Sequence, residues 1–355
     1  MKKKLVAALL CVAMAATMAV GCGNKDAGSS EGGSTAAAGS ESGDNITVGF
    51  SQVGAESDWR TANSESMKST FSEDNGYTLI FDDAQQKQEN QITAIRNFIQ
   101  QEVDYIVLAP VTETGWDTVL QEAKDADIPV IIVDRMVDVS DDSLYTAWVG
   151  SNFELEGQKA CEWLNQYAKA KGLTEINIVD IQGTIGASAQ IGRTKGLEDA
   201  AKANGWNLLA SQTGEFTQAK GQEVMESMLK QYDNINVVYC ENDNEAFGAI
   251  DAIKAAGKTV GPDGDILVMS FDTTNAGITD TLDGSIICNT ECNPLHGPRV
   301  EEIIKTLEEG GTPDKQAYVE EGIFAYGSDV PTITVDGEDY EVTEVTQDVI
   351  DQRAY

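Results

Sequence analysis

The stretch YTLIFDDAQQKQENQITAIRNFIQQEVDYIVLAP (residues 77–110) decides the fold class. It begins with YTLIFDD and ends with DYIVLAP, two apolar runs that are nearly continuous in hydrophobicity, as strands buried on both faces are. Between them, Ile92, Ile95 and Ile99 recur at spacings of three and four residues, which predicts an amphipathic helix. A strand, a helix and a second strand in this order predict a βαβ unit and hence a parallel sheet.

The same alternation continues along the chain on both sides of Gly150. The further strand-like runs are ITVGF, IPVIIVD and YTAWVG before it, and INIVDIQ, WNLLASQ, INVVYCEND, DILVMSFD and SIICNTE after it. A twisted open sheet rarely exceeds about ten strands, and 355 residues are enough for two separate cores. We therefore expect an α/β protein with two doubly wound parallel-sheet lobes.

The charge balance excludes several classes of partner and chemistry. The chain has 59 acidic and 24 basic residues, a formal net charge of -35, so a nucleic acid or another polyanion would be repelled. We interpret most of the carboxylates as solvated surface. His296 is the single histidine and no Cys-x-x-Cys pair occurs, so we expect neither a metal site nor a histidine-based catalytic site, and no cofactor.

The N-terminus has the pattern of an export signal. Three lysines at positions 2–4 precede an apolar run, residues 5–20, that is short for a membrane span. The run ends in AVGC (residues 19–22), which resembles a bacterial lipobox and implies that Cys22 becomes the lipid-modified first residue of the mature protein. Residues 1–21 would then be the signal peptide, and an ordinary cleaved signal peptide without lipid is the alternative.

The segment that follows, residues 22–45, is rich in Gly, Ser, Ala and acidic residues and has no aromatic residue. Such a composition cannot bury enough apolar area to become ordered, so we interpret it as a flexible tether. The protein is therefore expected at the cell surface, anchored by lipid to the outer face of the cytoplasmic membrane.

Four cysteines remain after the N-terminal segments. Cys161 lies in a helix-like pattern and Cys240 ends a strand-like run, so both are expected to be buried as small apolar residues. Cys288 and Cys292 are four residues apart, and an extended chain would separate them too far for a disulfide. Export nevertheless leaves that pairing open.

Polar side chains follow several of the predicted strands at the point where each strand ends. Asp134 and Arg135 follow IPVIIV, Asn242 follows VVYCE, Asp272 ends ILVMSFD, and ESDWR (residues 56–60) follows ITVGFSQVG. Ligands of doubly wound sheets bind beyond the carboxyl ends of the strands. A cleft between the two lobes would bring all of these residues together.

These residue types suit a neutral polyol. Carboxylates and amides accept hydrogen bonds from hydroxyl groups, guanidinium groups donate to them, and an aromatic face packs on the C–H face of a sugar ring. Trp59 is the leading aromatic candidate and Phe216 the second. The alternatives are a structural ion pair for Asp134 and Arg135, a core position for Trp59 and a solvated helix position for Arg193.

Several longer stretches carry a resemblance to a known family. They are VGFSQVGAESDWR, DDAQQKQENQI, APVTETGWDTVLQEAKDADIPV, VDRMVDVSDDSLY, IQGTIGASAQIGRTKG, GEFTQAKGQEVMESM and ENDNEAFGAI, and they cover roughly residues 46–330. In this collinear order they resemble periplasmic sugar-binding proteins of the ribose-binding, type I class. Within that class they look most like galactofuranose-binding proteins of ABC importers.

The resemblance implies a role for individual residues. Those it places against a sugar are Glu56, Ser57, Trp59, Arg60, Asp134, Arg135, Arg193, Phe216, Asn242 and Asp272. Glu291 falls where the class places a polar group near the hinge, with Cys292 as an equally good match for that place. Asp58 also belongs to the candidate loop, although the family has a small residue there, and its carboxylate leaves the identity of the sugar open.

The resemblance also implies three chain crossings between the lobes. The first lobe would combine residues 46–149 with 290–320, and the second would combine residues 150–289 with 321–331. A hinge in these three segments would close around the ligand. For residues 332–355 we expect a C-terminal extension, a short accessory hairpin at the edge of a lobe.

The function that the resemblance implies is capture of a monosaccharide for import. The partners would be the sugar and an ABC permease in the membrane, and the binding protein would be a monomer without enzymatic activity. A sensor that delivers its ligand to a membrane receptor is the first alternative. A glycosidase that uses paired carboxylates such as Asp134 and Asp272 is the second.

Overall fold

The computed structural model describes residues 45–355, so the expected signal peptide, the tether and Cys22 lie outside the described residues. Strands alternate with helices along most of this range. The strands are β1 (Ile46–Gln52), β2 (Tyr77–Asp83), β3 (Tyr105–Leu108), β4 (Val130–Val133), β5 (Ala147–Gly150), β6 (Asn177–Gln182), β7 (Asn207–Thr213), β8 (Val237–Cys240), β9 (Leu267–Asp272), β10 (Cys288–Glu291), β11 (Gln316–Tyr318), β12 (Ile323–Ala325), β13 (Thr332–Val335) and β14 (Glu338–Glu344).

Ten α-helices connect these strands in the described part of the chain. They are α1 (Asp58–Thr70), α2 (Gln88–Gln100), α3 (Asp117–Asp125), α4 (Phe153–Lys171), α5 (Ser188–Asn204), α6 (Gln218–Gln231), α7 (Asp243–Ala255), α8 (Asn275–Leu282), α9 (Gly297–Glu308) and α10 (Gln347–Asp351). Within residues 45–355, none of the helices combines the length and the apolar character that crossing a membrane requires.

The first sheet has six strands in the order β11-β5-β4-β3-β1-β2, and every neighbouring pair is parallel. Its central strands are apolar on both faces. Alternate residues of β3 and β4 enter two different cores, with Ile106 and Ile132 on one side and Val107 and Ile131 on the other. Helices α2 and α3 cover one face, while α1 and α9 cover the other, so the sheet is doubly wound.

The second sheet has eight strands in the order β13-β14-β12-β10-β9-β8-β6-β7. The five strands from β10 to β7 are parallel, whereas β12 is antiparallel to β10. Helix α4 covers one face, where its Trp163 shares a core with Tyr239 of β8. Helices α6 and α7 cover the other face, where Met225 of α6 shares a core with Val238 of β8. The predicted fold class, an α/β protein with two doubly wound lobes, is confirmed.

The C-terminal segment joins the second sheet. Strands β13 and β14 form an antiparallel hairpin at its edge, and β14 pairs parallel to β12. The chain then continues through α10, and the side chains of Arg353 and Tyr355 reach Glu291 at the end of β10. Residues 332–355 are thus an integral part of this lobe, larger than the short accessory hairpin that the sequence suggested.

The chain passes between the two sheets in three short segments. The first links β5 to α4, the second links β10 to α9 through residues 292–296, and the third links β11 to β12 through residues 319–322. Strand β10 pairs with β9 up to Glu291, so residues 290 and 291 belong to the second sheet, although the sequence analysis placed them in the first lobe. The lobe boundary lies later in the chain than predicted, because the parallel pairing of β10 with β9 continues to Glu291, which pairs with Asp272.

Candidate functional site

The loop after β1 is oriented by a helix cap. Ser57 has an extended backbone and its Oγ accepts a hydrogen bond from the backbone N–H of Arg60 at 3.1 Å, which starts α1. The first turn therefore directs the side chains of Trp59 and Arg60 inward, where both are buried, and leaves Asp58 exposed on the outside. The composition of ESDWR is explained by these two opposite orientations.

A cavity lies where the carboxyl ends of the two sheets face each other. Ten of the twelve ligand-binding candidates from the sequence line it: Glu56, Ser57, Trp59, Arg60, Asp134, Arg135, Arg193, Phe216, Asn242 and Asp272. The structure thus brings together in one place residues from both lobes.

Two candidates lie outside the cavity. The exposed Asp58 lines a separate groove at the surface, with Tyr355 among the other lining residues. The Glu291 carboxylate accepts hydrogen bonds from Tyr355 at 2.6 Å and Arg353 at 3.1 Å through Oε1, and from the backbone of Gly322 at 2.8 Å through Oε2. Glu291 therefore holds the C-terminal segment. This contact joins residues that are distant in sequence, so no local pattern predicted it.

Three cavity residues were not among the predicted ligand-binding set: Phe153, Ala189 and Cys292. Phe153 begins α4 directly after the first crossing, and Ala189 lies in the first turn of α5. Each lies at the start of a helix that follows a parallel strand, which was a usable signal. Cys292 was weighed only as the alternative match for the place of Glu291, and the structure puts Cys292 in the cavity and Glu291 outside it.

A network of opposite charges forms the first-lobe wall. The Arg60 guanidinium donates from Nε to Glu56 Oε1 at 3.0 Å and lies 2.8 Å from Asp134 Oδ2 through Nη2. Arg60 Nη1 also donates to Gln52 Oε1 at 3.2 Å. All of these side chains are buried, so each ion pair holds its partners in a fixed geometry with little screening by water.

Arg135 is the less neutralised cation of this wall. It lies 3.9 Å from both Glu56 and Asp134, and its Nη1 donates to the backbone carbonyl of Val111 at 3.0 Å. Burial, reinforced by the nearby Arg60 cation, lowers the pKa of Arg135 to about 10, so the group remains charged at neutral pH. A buried guanidinium with long ion pairs has N–H groups free to donate to a ligand.

The second-lobe wall is built around Arg193, which is 2% exposed. Its Nε donates to Glu156 Oε2 at 2.7 Å, its Nη1 donates to the backbone carbonyl of Glu241, and its Nη2 lies 3.3 Å from Asp272 Oδ1. Burial raises the pKa of the Asp272 carboxyl to about 8, against the opposing effect of the Arg193 cation. The solvated helix position considered for Arg193 is therefore wrong.

Three aromatic side chains line the cavity, Trp59 from the first lobe and Phe153 and Phe216 from the second. Trp59 donates its indole N–H to the backbone carbonyl of Cys292 at 2.7 Å and packs edge-on against His296. Phe216 is held by α7, because its N–H donates to Glu245 Oε1 at 2.8 Å and its carbonyl accepts from Asn242 Nδ2 at 3.1 Å. Hydrogen bonds thus fix the ring of Trp59 directly and the ring of Phe216 through its backbone.

Left-handed backbone conformations occur at three of the cavity residues. Asp134 has φ of 63°, Phe216 has φ of 60° and Asp272 has φ of 92°. Residues other than glycine rarely adopt such angles, and the strain persists only where the surrounding structure fixes it. All three side chains line the cavity.

The two lobes touch at the rim of the cavity. The backbone N–H of Asp58 donates to Asn244 Oδ1 at 3.0 Å, that of Met136 donates to Ser188 Oγ at 2.9 Å, and that of Glu113 donates to the Gly186 carbonyl at 2.9 Å. These bonds connect a first-lobe donor to a second-lobe acceptor in every case. The structure therefore has the lobes in contact around the cavity.

Comparison with known sequences identifies the family. Residues 48–290 match a family model described as a periplasmic binding protein domain. The chain is 45% identical over 275 residues to the galactofuranose-binding protein YtfQ of Escherichia coli, covering 76% of this chain and 85% of that protein. It is 31% identical over 324 residues to the fructose import binding protein FruE of Bifidobacterium longum, covering 89% and 93% of the two chains.

Solved structures agree with this result. A Mycobacterium smegmatis protein in complex with β-D-fucofuranose is 43% identical with a TM-score of 0.76, covering 79% of this chain and 91% of that one. A galactofuranose-binding protein is also 43% identical, with a TM-score of 0.74 and coverage of 79% and 94%. YtfQ, FruE and the galactofuranose-binding structure are binding proteins by name, which agrees with the expectation of a protein that is not an enzyme. The resemblance recognised in the sequence is confirmed, and the chain belongs to the periplasmic binding protein family.

Proposed function

We propose that the protein captures a monosaccharide in the cavity between its lobes. The observation that carries this proposal is the composition of the cavity, in which three arginines, three carboxylates and three aromatic rings converge. The cations and anions nearly balance, which suits an uncharged ligand with many hydroxyl groups. Trp59 and Phe216 supply two apolar surfaces for a sugar ring.

Individual groups of the cavity wall match the needs of a polyol. Glu56 Oε2 is buried and accepts no hydrogen bond from the described residues, which leaves it for a hydroxyl donor. Arg135 has N–H groups that its distant carboxylates do not occupy. A sugar that places a hydroxyl at each of these groups would satisfy them, whereas a mismatched sugar would leave them buried and unpaired.

For the sugar itself we infer a five-membered ring. The supporting relatives are the fucofuranose complex from Mycobacterium smegmatis, the galactofuranose-binding protein and an arabinose-transporter component from Shewanella sp. ANA-3 bound to α- and β-L-arabinofuranose, each 43% identical to this chain.

The biological role that we propose is delivery of the captured sugar to an ABC permease. Relatives named as import binding proteins include FruE of Bifidobacterium longum and the ribose protein RbsB of Escherichia coli. In this proposal the protein acts as a monomer, lipid on Cys22 keeps it at the outer face of the membrane, and the three crossings act as a hinge that closes over the sugar.

A calorimetric titration of the purified protein tests sugar capture. The panel is D-galactose, D-fucose, L-arabinose, D-fructose and D-ribose, and we expect saturable one-to-one binding of at least one of the first three. Ring form is tested by mixing freshly dissolved crystalline D-galactopyranose with the protein. If the furanose is selected, the binding signal should grow as the sugar equilibrates in solution. Heat of dilution alone for the entire panel would contradict the proposal.

Membrane attachment is tested separately by expression of the full chain and of Cys22→Ser. We expect the unmodified chain in the membrane fraction and the variant in the soluble fraction. Mass spectrometry of the N-terminal peptide then distinguishes a lipid on Cys22 from an ordinary cleaved signal peptide.

A further inference from the structure

One glutamate lies at the meeting point of the three crossings between the lobes. Glu321 belongs to the third crossing, and its Oε1 accepts hydrogen bonds from Ser151 Oγ at 2.6 Å and from the backbone N–H of Asn293 at 2.8 Å. Ser151 belongs to the first crossing and Asn293 to the second. The Ser151 hydroxyl also lies 3.3 Å from Cys292 Sγ. The Glu321 carboxyl therefore holds all three crossings together.

A second buried carboxyl faces this point. Glu156 uses Oε2 to accept the hydrogen bond from Arg193 Nε at 2.7 Å, and its Oε1 is buried without a hydrogen-bond donor among the described residues. One oxygen of Glu156, one oxygen of Glu321 and the Cys292 sulfur all lie within 4.8 Å of one another. Two carboxyl groups and a thiol thus converge directly behind the second-lobe arginine.

Glu156 Oε1 lacks a donor among the described residues and lies beside a second carboxyl group, so either a metal ion or a proton between the two groups would stabilise the pair. Two cations are already present, because Arg193 contacts Glu156 and the Lys159 ammonium donates to the backbone carbonyl of Glu321 at 3.0 Å. A divalent ion would be repelled by both of them. A single proton shared between the two carboxyl groups removes one negative charge and provides the missing donor for Glu156 Oε1.

We propose that Glu156 is a positioning residue for Arg193, and that it acts as one half of a carboxyl pair with Glu321 that holds one proton while the lobes are closed. This inference rests on the proposed sugar capture at Arg193. The titratable groups around the pair are Arg193, Lys159, Cys292, Glu291 and Asp272. Burial raises the pKa of both Glu156 and Glu321, which favours the protonated form of the pair.

The proton shared by Glu156 and Glu321 makes closure of the lobes depend on pH. Cys292 and Arg193 line the cavity, so separation of the lobes admits water next to the pair and lowers its pKa toward the ordinary value of a glutamate. Closure then takes up a proton. Sugar affinity should be highest in mildly acidic solution and should fall, by up to about tenfold per pH unit, between the pKa of the open form and that of the closed form.

Two isosteric variants test the inference. Glu321→Gln and Glu156→Gln each replace the shared proton with an amide N–H that can donate across the pair at any pH. The dissociation constant of the tightest-binding sugar of the panel is measured by calorimetry from pH 5 to pH 9. We expect it to rise with pH in the unmodified protein and to rise less steeply in either variant. Glu154→Gln, an exposed change on the same helix, is the matched control and should keep the unmodified slope.

Proton uptake and thermal stability provide two further tests of the shared proton. Titrations in buffers of different ionisation enthalpy should detect proton uptake on sugar binding, and this uptake should be smaller in Glu321→Gln. The thermal midpoint at saturating sugar should fall with pH more steeply in the unmodified protein than in the variants, because the closed pair holds its proton. Absence of binding across the sugar panel would instead contradict the proposed sugar capture. Equal slopes for the unmodified protein and both glutamine variants in affinity and in thermal midpoint would overturn the inference.

Discussion

The indole N–H of Trp59 donates a hydrogen bond of 2.7 Å to the backbone carbonyl of Cys292. This bond joins the first turn of α1 to the second crossing between the lobes. The aromatic wall of the cavity is therefore attached to a segment that must move if the lobes separate. The ring position and the hinge conformation should consequently respond to the same substitutions.

The Trp59 ring and its hydrogen bond can be separated by mutation. Trp59→Phe keeps an aromatic face and removes the donor, so sugar affinity should fall by about 2- to 10-fold, the range for loss of about 0.5–1.5 kcal/mol from one hydrogen bond. Trp59→Ala removes both and should weaken binding further. Calorimetry measures the affinities and thermal unfolding monitors the lobe. A collapse of the melting temperature in Trp59→Phe would instead indicate that the residue serves mainly the core.

Arg135 should contribute strongly to binding. Removal of one member of a buried, charged hydrogen-bond set typically costs about 2–5 kcal/mol, so Arg135→Ala should weaken sugar affinity by more than about tenfold. Arg96→Ala is the control, because Arg96 forms an exposed ion pair with Glu122 far from the cavity. Calorimetric titration of both variants gives the comparison. Unchanged affinity in Arg135→Ala would mean that the sugar binds elsewhere.

Glu291 and Tyr355 should be coupled in stability rather than in sugar binding. Their hydrogen bond of 2.6 Å attaches the C-terminus to the end of β10. A double-mutant cycle with Glu291→Gln and Tyr355→Phe, measured by denaturant unfolding, should give a coupling energy of about 0.5–3 kcal/mol. Sugar affinity should change little in either variant. A large loss of affinity in Glu291→Gln would restore the ligand role that the sequence suggested.

Cys292 should report on the cavity through its chemical reactivity. Burial raises the pKa of its thiol, and the neutral thiol is a poor nucleophile. A thiol reagent should therefore modify Cys292 only when the lobes separate, and saturating sugar should slow the reaction. Peptide mapping distinguishes Cys292 from Cys161, Cys240 and Cys288, which are buried in the second-lobe cores. Labelling at a rate independent of sugar would contradict the closure model.

His296 should make the fold sensitive to acid. Burial lowers its pKa to about 4, and its Nδ1 lies 2.9 Å from Asn63 Nδ2, so the neutral ring accepts that bond. In the unfolded chain the histidine binds a proton near pH 6.5. The free energy of unfolding therefore decreases as the pH falls from about 6.5 to about 4, by up to about 3 kcal/mol. The free energy of unfolding is measured by denaturant titration at both pH values.

The control for this prediction is His296→Asn, which removes the titrating ring. Raised pKa values of buried carboxyls such as Asp272 act in the opposite direction, but they are present in both proteins. The difference between the two pH profiles therefore isolates the histidine. Parallel profiles between pH 6.5 and pH 4 would show that His296 is already accessible to protons in the folded state.

Much of the fold could be predicted from local patterns. The apolar runs and the spacing of Ile92, Ile95 and Ile99 predicted strands and a helix, and β2, α2 and β3 occur in that order. These predictions succeeded because side-chain periodicity is a property of consecutive residues. The position of β12 in the sheet could not be predicted in this way, because its pairing with β10 and β14 depends on segments far apart in the chain.

The candidate site was predictable where strand order alone determined position. Asp134, Asn242 and Asp272 follow parallel strands, so their convergence at one side of the sheets followed from topology. Asp58 and Glu291 lie outside the cavity for different reasons. A helix cap turned Asp58 outward, and the C-terminal segment engaged Glu291.

The sequence by itself determined the two-lobed α/β architecture, the family and the set of residues available for a ligand, because each of these depends on order and spacing along the chain. Only the tertiary structure decided which carboxyl groups face the cavity, which hold Arg193 in place and which meet Glu321 at the crossings. The physical reason is that burial, charge pairing and hydrogen-bond geometry arise between residues distant in sequence, where no local pattern records them.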